Sequence, residues 1–271
     1  MNNFAVIGNP IKHSLSPYLH NYVYNLINID AEYLKKEMHE DELVNVVKLI
    51  RSGNLDGINI TIPFKESIIE YLDEINPRAQ IIGSINIVYM KNNKLYGNNT
   101  DWYGFTQSII KNNISIKNKE VIVLGAGGTS KAILFALKHL GAKRINLLNR
   151  SFNKAKKMED EVIKAYEYAR AEQIIKNNSI IINTTSIGML KDELPINASL
   201  ISKKQILIDV IYSPISTSFI KLGISMGAKT LGGLDMFIFQ ALQSIDLWFG
   251  KTYSKQVNFS QLKTNLERKL C

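Results

Sequence analysis

The chain reads as an α/β protein in two parts: a mixed, mainly parallel sheet first, then a doubly wound parallel sheet. Three observations carry this. Strand-like and helix-like stretches alternate along the 271 residues. The middle runs VIVLG, INLLN, IIINT and ILIDV are continuously apolar, as parallel strands covered by helices on both faces are. A glycine-rich turn at Gly125, Gly127 and Gly128 joins the first of those runs to a helix.

In order, FAVIG (Phe4 to Gly8) is a short strand that turns at Asn9-Pro10. Ser16 is expected to cap the next helix, with Pro17 as its first residue. AEYLKKEM alternates as a strand. DELVNVVKLIRSG has the i, i+3, i+4 spacing of an amphipathic helix ending at Gly53. GINITIP is a β-branched strand ending at Pro63. SINIVYM and KLYGN flank Asn92-Asn93 as a hairpin. In TSKAILFALKHLGA, Ala132, Ile133, Ala136, Leu137 and Leu140 share one helical face. Leu234 to Gly250 and the stretch from Ser260 read as helices returning to the first part. The expected domains are residues 1–101 joined by 235–271, and residues 102–234.

Composition narrows the function classes. Hydrophobic residues at 45% and charged residues at 21% are ordinary for a globular protein. A single cysteine, Cys271, excludes an internal disulfide framework and a thiolate cluster. No apolar run reaches the roughly 18 residues of a membrane span, and the N-terminus lacks the pattern of a signal peptide. A cytoplasmic location and no membrane partner are therefore expected. The net charge of +9 reflects lysines spread along the chain without interleaved aromatics. It points to phosphate or carboxylate ligands and not to nucleic acid. His13, His20, His39 and His139 lack metal-ligand spacing, so no metal is expected.

Gly125, Ala126, Gly127, Gly128 and Thr129 lie where a strand gives way to a helix. Glycine there lets a pyrophosphate approach the backbone, and the helix N-terminus supplies N–H groups and a favourable dipole. Ser130 stands where the third glycine of such a turn usually is, and Ala132 could take its close-packing role. A plain turn in a phosphate-free domain is the alternative. The following strand ends at Asn149 and Arg150, where an NAD enzyme usually carries an acidic residue. An arginine pairs with a 2′-phosphate, and Lys154 one turn later adds charge, so NADP is the expected cofactor. A surface arginine capping a strand end is the alternative.

In the first part, Ser14 and Ser16 put two hydroxyls beside a helix N-terminus, suited either to a carboxylate or to simple capping. Asn59 and Thr61 are expected on one face of a strand. Lys65 follows just beyond it, and Asp101 stands before the first helix of the second part. Both would face an interdomain cleft.

The motifs GNPIKHSLSPYLHN, NITIPFK, NNTDWYG, GAGGTSKA, NRSFNKA, NTTSIGM, DVIYSP and GGLDMFIFQA together resemble the shikimate dehydrogenase family, in its order and over nearly the whole chain. The resemblance implies a Rossmann-like NADP-binding domain and a separate substrate domain. It implies reversible reduction of 3-dehydroshikimate to shikimate by NADPH, within aromatic amino-acid biosynthesis. Lys65 and Asp101 match the family's catalytic pair. Ser14 and Ser16 match its carboxylate ligands, and Asn59, Thr61, Asn86, Asp101 and Gln240 its hydroxyl ligands, with Tyr212 near the substrate. The glycine-rich turn and Arg150 match the pyrophosphate and 2′-phosphate sites. Thr184, Ser186, Gly188, Met189, Val210 and Gly233 fall in stretches that line the cofactor in the family. Ile87 stands where many relatives have threonine.

Trp102 and Trp248 are expected to pack, and Met236 either packs or touches cofactor. The assembly is expected to be a monomer or homodimer. A quinate-oxidising relative of broader specificity and a non-catalytic NADP-binding module are the competing readings. Arg150 counts against an NAD-and-quinate enzyme, and retention of both Lys65 and Asp101 counts against the module.

Overall fold

The computed structural model of the chain describes residues 1–175 and 180–270; Cys271 lies outside them. They form two compact units. One comprises Met1–Gly104 and Ile238–Leu266, the other Phe105–Phe237 and the chain's last residues from Glu267.

The first unit carries a six-stranded mixed sheet. β1 (Asn2–Gly8), β2 (Ala31–Glu37) and β3 (Gly57–Ile60) are parallel, and β4 (Glu74–Ile75), β5 (Ile87–Lys91) and β6 (Lys94–Asn98) complete it in the order β2-β1-β3-β5-β6-β4. The β5–β6 hairpin closes on Asn92 and Asn93, both at positive φ (50° and 60°). Those dihedrals match the right-handed twist of the flanking strands.

Four helices begin in this stretch: α1 (Ser16–Leu26), α2 (Leu43–Arg51), α3 (Pro77–Ile82) and α4 (Asp101–Lys111). Leu15, not Ser16, occupies the N-cap of α1, and the Ser14 hydroxyl accepts the Ser16 N–H at 3.3 Å. Ser16 is thus the first helical residue and not its cap, and the N-cap position makes no side-chain cap bond. β3 stops at Ile60, so Thr61 lies past the strand, though its N–H still reaches the Ile7 carbonyl at 2.9 Å. α2 buries Leu43, Val46, Val47 and Ile50 against Ile7, Ile58, Ile60 and Val88. Each such side chain contributes about 1.5–3 kcal/mol on leaving water.

The second unit holds β7 (Glu120–Leu124), β8 (Arg144–Asn149), β9 (Ile163–Glu167), β10 (Ile180–Asn183), β11 (Ile206–Asp209) and β12 (Lys229–Leu231). All are parallel, in the order β12-β11-β10-β7-β8-β9. Renumbered from β7, this is the 3-2-1-4-5-6 order whose topological switch lies between the first and fourth strands, where such sheets bind ligands. The helices are α5 (Gly128–His139), α6 (Phe152–Lys156), α7 (Ala171–Ile174) and α8 (Ser218–Ser225). α5 buries Ala132, Ile133, Ala136 and Leu137 as expected, with Leu140 only partly covered just past its end.

Two helices end the chain, α9 (Leu234–Phe249) and α10 (Phe259–Leu270). Most of each belongs to the first unit, where Trp248 stacks on Phe4 with ring centroids 4.3 Å apart. Among the described residues, no helix is long and apolar enough to cross a membrane.

Candidate active site

In the first unit a buried polar network gathers at the end of β3 and the start of α4. Lys65 sits in the turn after β3, and its backbone carbonyl accepts the Ile85 N–H at 2.8 Å. Its ammonium donates to Asp101 Oδ2 at 2.6 Å, and both side chains are 8% exposed. Asp101 is the first residue of α4, where the helix dipole favours a carboxylate. Asn99 fixes that helix start by accepting the N–H groups of Asp101 (2.9 Å) and Trp102 (3.4 Å). Asn86 approaches from the other side and donates to Asp101 Oδ1 at 2.9 Å. Each carboxylate oxygen therefore has its own donor.

The network continues outward. Asn86 Nδ2 also donates to Thr100 Oγ1, and Asn86 Oδ1 accepts the Thr100 N–H. Thr100 Oγ1 reaches Gln240 Oε1 at 3.4 Å and Ser244 Oγ at 3.3 Å. Asn59 donates to the Asn86 carbonyl and to Ser244 Oγ, and accepts the Tyr33 hydroxyl. The structure thus joins Lys65, Asp101, Asn86, Asn59 and Gln240 in one hydrogen-bonded group. Ser14 and Ser16 stand apart from it at the N-terminus of α1, where the Ser14 hydroxyl accepts the Ser16 N–H. Tyr212 belongs to the second unit, stacked on Phe237 at 4.1 Å.

Tyr33, Thr100, Asn99 and Ser244 escape the sequence reading. For Ser244 a signal exists: it is a polar residue one helical turn after Gln240 in FIFQALQSIDLWF, so the two share a face. Behind Tyr33, His20 stacks at 4.0 Å, and burial pushes its imidazole pKa down to about 3, so it is neutral at ordinary pH. No group of three or more His, Cys, Asp or Glu among the described residues could hold a metal.

In the second unit the glycine-rich turn lies at the switch between β7 and β10. Gly125 has φ +103°, and a Cβ there would come within 2.9 Å of Thr184 and Thr185 side-chain atoms. A Cβ on Gly127, the N-cap of α5, would meet nothing within 4 Å, so the turn leaves open space in front of the helix. Ala126 is buried, and Gly128 and Thr129 form the first turn of α5. Ser130 replaces the third glycine without loss of closeness: it is fully buried and donates to the Gly125 carbonyl at 2.6 Å. This cradle suits a dinucleotide pyrophosphate.

Arg150 follows β8 and is exposed, as is Lys154 on α6, and no carboxylate pairs with either among the described residues. Asn149 Nδ2 donates to the Ser151 carbonyl, fixing the turn. Thr184 donates to the Leu124 carbonyl at 2.7 Å, and Gly188 has φ +94°. Ser186 and Met189 are exposed on that loop. Gly233 is demanded by packing, since a Cβ would lie 2.2 Å from the Val210 carbonyl oxygen.

A sheet of this order with an open glycine turn, in a chain whose other unit holds a buried Lys–Asp pair, defines a dinucleotide-dependent oxidoreductase of the two-unit α/β class. Family comparison makes this specific. The "Shikimate dehydrogenase substrate binding domain" matches residues 6–88, and "Shikimate / quinate 5-dehydrogenase" matches residues 107–210. The chain belongs to the shikimate dehydrogenase family. It is 42% identical over 251 residues to the NADP(+) shikimate dehydrogenase of Pelagibacter ubique, covering 90% of this chain and 92% of that one. Among solved structures, shikimate dehydrogenase 1 from Peptoclostridium difficile superposes with a TM-score of 0.89 at 32% identity, over 100% and 99% of the two chains. The Thermus thermophilus enzyme in complex with NADP(H) and shikimate gives 0.87 at 28% identity, covering all of both chains.

Proposed function

We propose that this chain reversibly reduces 3-dehydroshikimate to shikimate with NADPH, a step of aromatic amino-acid biosynthesis. The observation that carries the chemistry is the buried Lys65–Asp101 pair, with Asn86 on the second carboxylate oxygen. When bound, NADPH supplies the hydride. The ketone oxygen then gains negative charge and needs a proton or a cation beside it. Lys65 Nζ is the group suited to that task. Asp101 keeps Nζ in place and leaves lone pairs to orient a ring hydroxyl. Asn59, Thr61, Asn86 and Gln240 serve the remaining hydroxyls, and Ser14 and Ser16 take the carboxylate.

The glycine turn at Gly125–Thr129 holds the pyrophosphate, and Arg150 with Lys154 holds the 2′-phosphate. Asn149, Thr184, Ser186, Gly188, Met189, Val210 and Gly233 line the rest of the dinucleotide, and Tyr212 borders the substrate. Steady-state assays of shikimate and quinate against NADP and NAD test the whole reading. Shikimate with NADP should give the highest kcat/KM. Equal or better turnover of quinate with NAD would replace this assignment by the broader one.

A further inference from the structure

Ser244 lies outside every motif of the family resemblance, yet it is fully buried at the centre of the polar network. A serine hydroxyl has one hydrogen and two lone pairs. The hydrogen goes to the Gln240 carbonyl, four residues earlier on α9, at 2.9 Å. One lone pair accepts Asn59 Nδ2 at 3.1 Å, and Thr100 Oγ1 lies 3.3 Å away. Ser244 therefore touches the strand carrying Asn59, the loop preceding Asp101, and the helix carrying Gln240.

Asn59 shows what this achieves. Its amide has two hydrogens, taken by the Asn86 carbonyl at 3.1 Å and by Ser244 Oγ. Its oxygen receives the Tyr33 hydroxyl at 2.8 Å. One lone pair on Oδ1 is all that the protein leaves. Held this way, Asn59 can only accept a hydrogen bond from a ligand, so it distinguishes a hydroxyl from a group without a hydrogen to donate. We propose that Ser244 is a positioning residue that locks the Asn59 amide as an acceptor and so sets selectivity for one ring hydroxyl. The proposal rests on the functional reading above.

The test uses the full chain, with shikimate and analogues each lacking one ring hydroxyl, at saturating NADP. Ser244→Ala should raise KM for shikimate roughly tenfold, the value of one net hydrogen bond, with kcat changed less than about threefold. It should also shrink, by a similar factor, the kcat/KM gap between shikimate and the analogue that the wild type rejects most strongly. Ser244→Thr should restore the gap, because a helical threonine keeps its hydroxyl on the i−4 carbonyl.

Should Ser244→Ala fail to fold, Tyr33→Phe removes the other anchor of the same amide and should narrow the same gap. An unchanged gap in the folded variants, or an equal loss toward every analogue, overturns the proposal. If the wild type does not oxidise shikimate with NADP, the functional reading falls with it; wild-type turnover beside an unchanged gap sinks this inference alone.

Discussion

The two units treat the cations of the proposed site, and a buried aspartate apiece, in opposite ways. In the first, Lys65 is buried and tied to Asp101. In the second, Arg150 is exposed without a carboxylate partner among the described residues. Asp209, at the end of β11, is buried with neutral donors alone: the Thr217 hydroxyl at 2.7 Å, the Ile211 N–H at 3.0 Å and the Asn183 amide at 3.2 Å. The proposed uses of the two cations account for the difference. A cation that must meet a developing negative charge has to be held and desolvated beforehand, whereas one that binds a phosphate dianion is best left free for the incoming charge. A carboxylate among neutral donors organises backbone: Asp209 fixes Asn183, whose Oδ1 holds Thr185 at the start of the NTTSIGM loop.

The sharpest way to break this contrast is to remove the paired cation. Lys65→Ala should lower kcat by roughly 10²–10⁴-fold, the range for loss of a positioned proton donor, while NADP affinity stays within about twofold. Stopped-flow turnover and NADPH fluorescence titration on the same preparation measure both. Unchanged turnover would remove Lys65 from the chemistry and leave the pair as architecture.

The free cation predicts a smaller, selective effect. Arg150→Ala should weaken NADP binding roughly 10–100-fold, as loss of a charge-assisted bidentate contact does, and leave NAD binding nearly untouched. Titration calorimetry with both dinucleotides reads the difference. Equal losses would show that Arg150 supports the fold of the β8–α6 turn instead of reading the 2′-phosphate.

The two units were not equally legible in the sequence. Parallel strands buried on both faces write themselves as unbroken apolar runs, so β7, β8, β10 and β11 stand out, and the glycines at 125, 127 and 128 mark the turn between them. β9, IKAYE, is a short edge strand whose burial alternates from Ile163, and the sequence reading assigns it no element. β4 and β12, of two and three residues, are too short for any period. That Ser16 begins α1 instead of capping it turns on backbone geometry that spacing alone does not fix. The first unit's network is less legible still, because its members acquire meaning through partners far away in the chain. Asn59 and Ser244 are 185 residues apart, and Lys65 and Asp101 are 36 apart. No local pattern announces such a bond. Family resemblance supplies the names Lys65 and Asp101, but it is silent on Ser244 and Tyr33.

The smallest effect tests the aspartate side of the contrast. Burial raises the Asp209 pKa to about 6, against an ordinary value of 3.8, despite its three donors. The folded state thus holds a proton on Asp209 between pH 6 and 4 that the unfolded chain has released. By linkage, stability contributed at this residue must rise as pH falls through that window and be lost as pH rises through 6. Asp209→Asn cannot titrate, so the difference in unfolding free energy, wild type minus variant, isolates the residue from all others. It should increase by about 2 kcal/mol from pH 7.5 to pH 4.5, measured by urea denaturation. A flat difference would mean that the neutral donors stabilise the carboxylate as well as water does. A difference of opposite sign would mean that Asp209 is held by a positive charge, and the contrast with Asp101 would then dissolve.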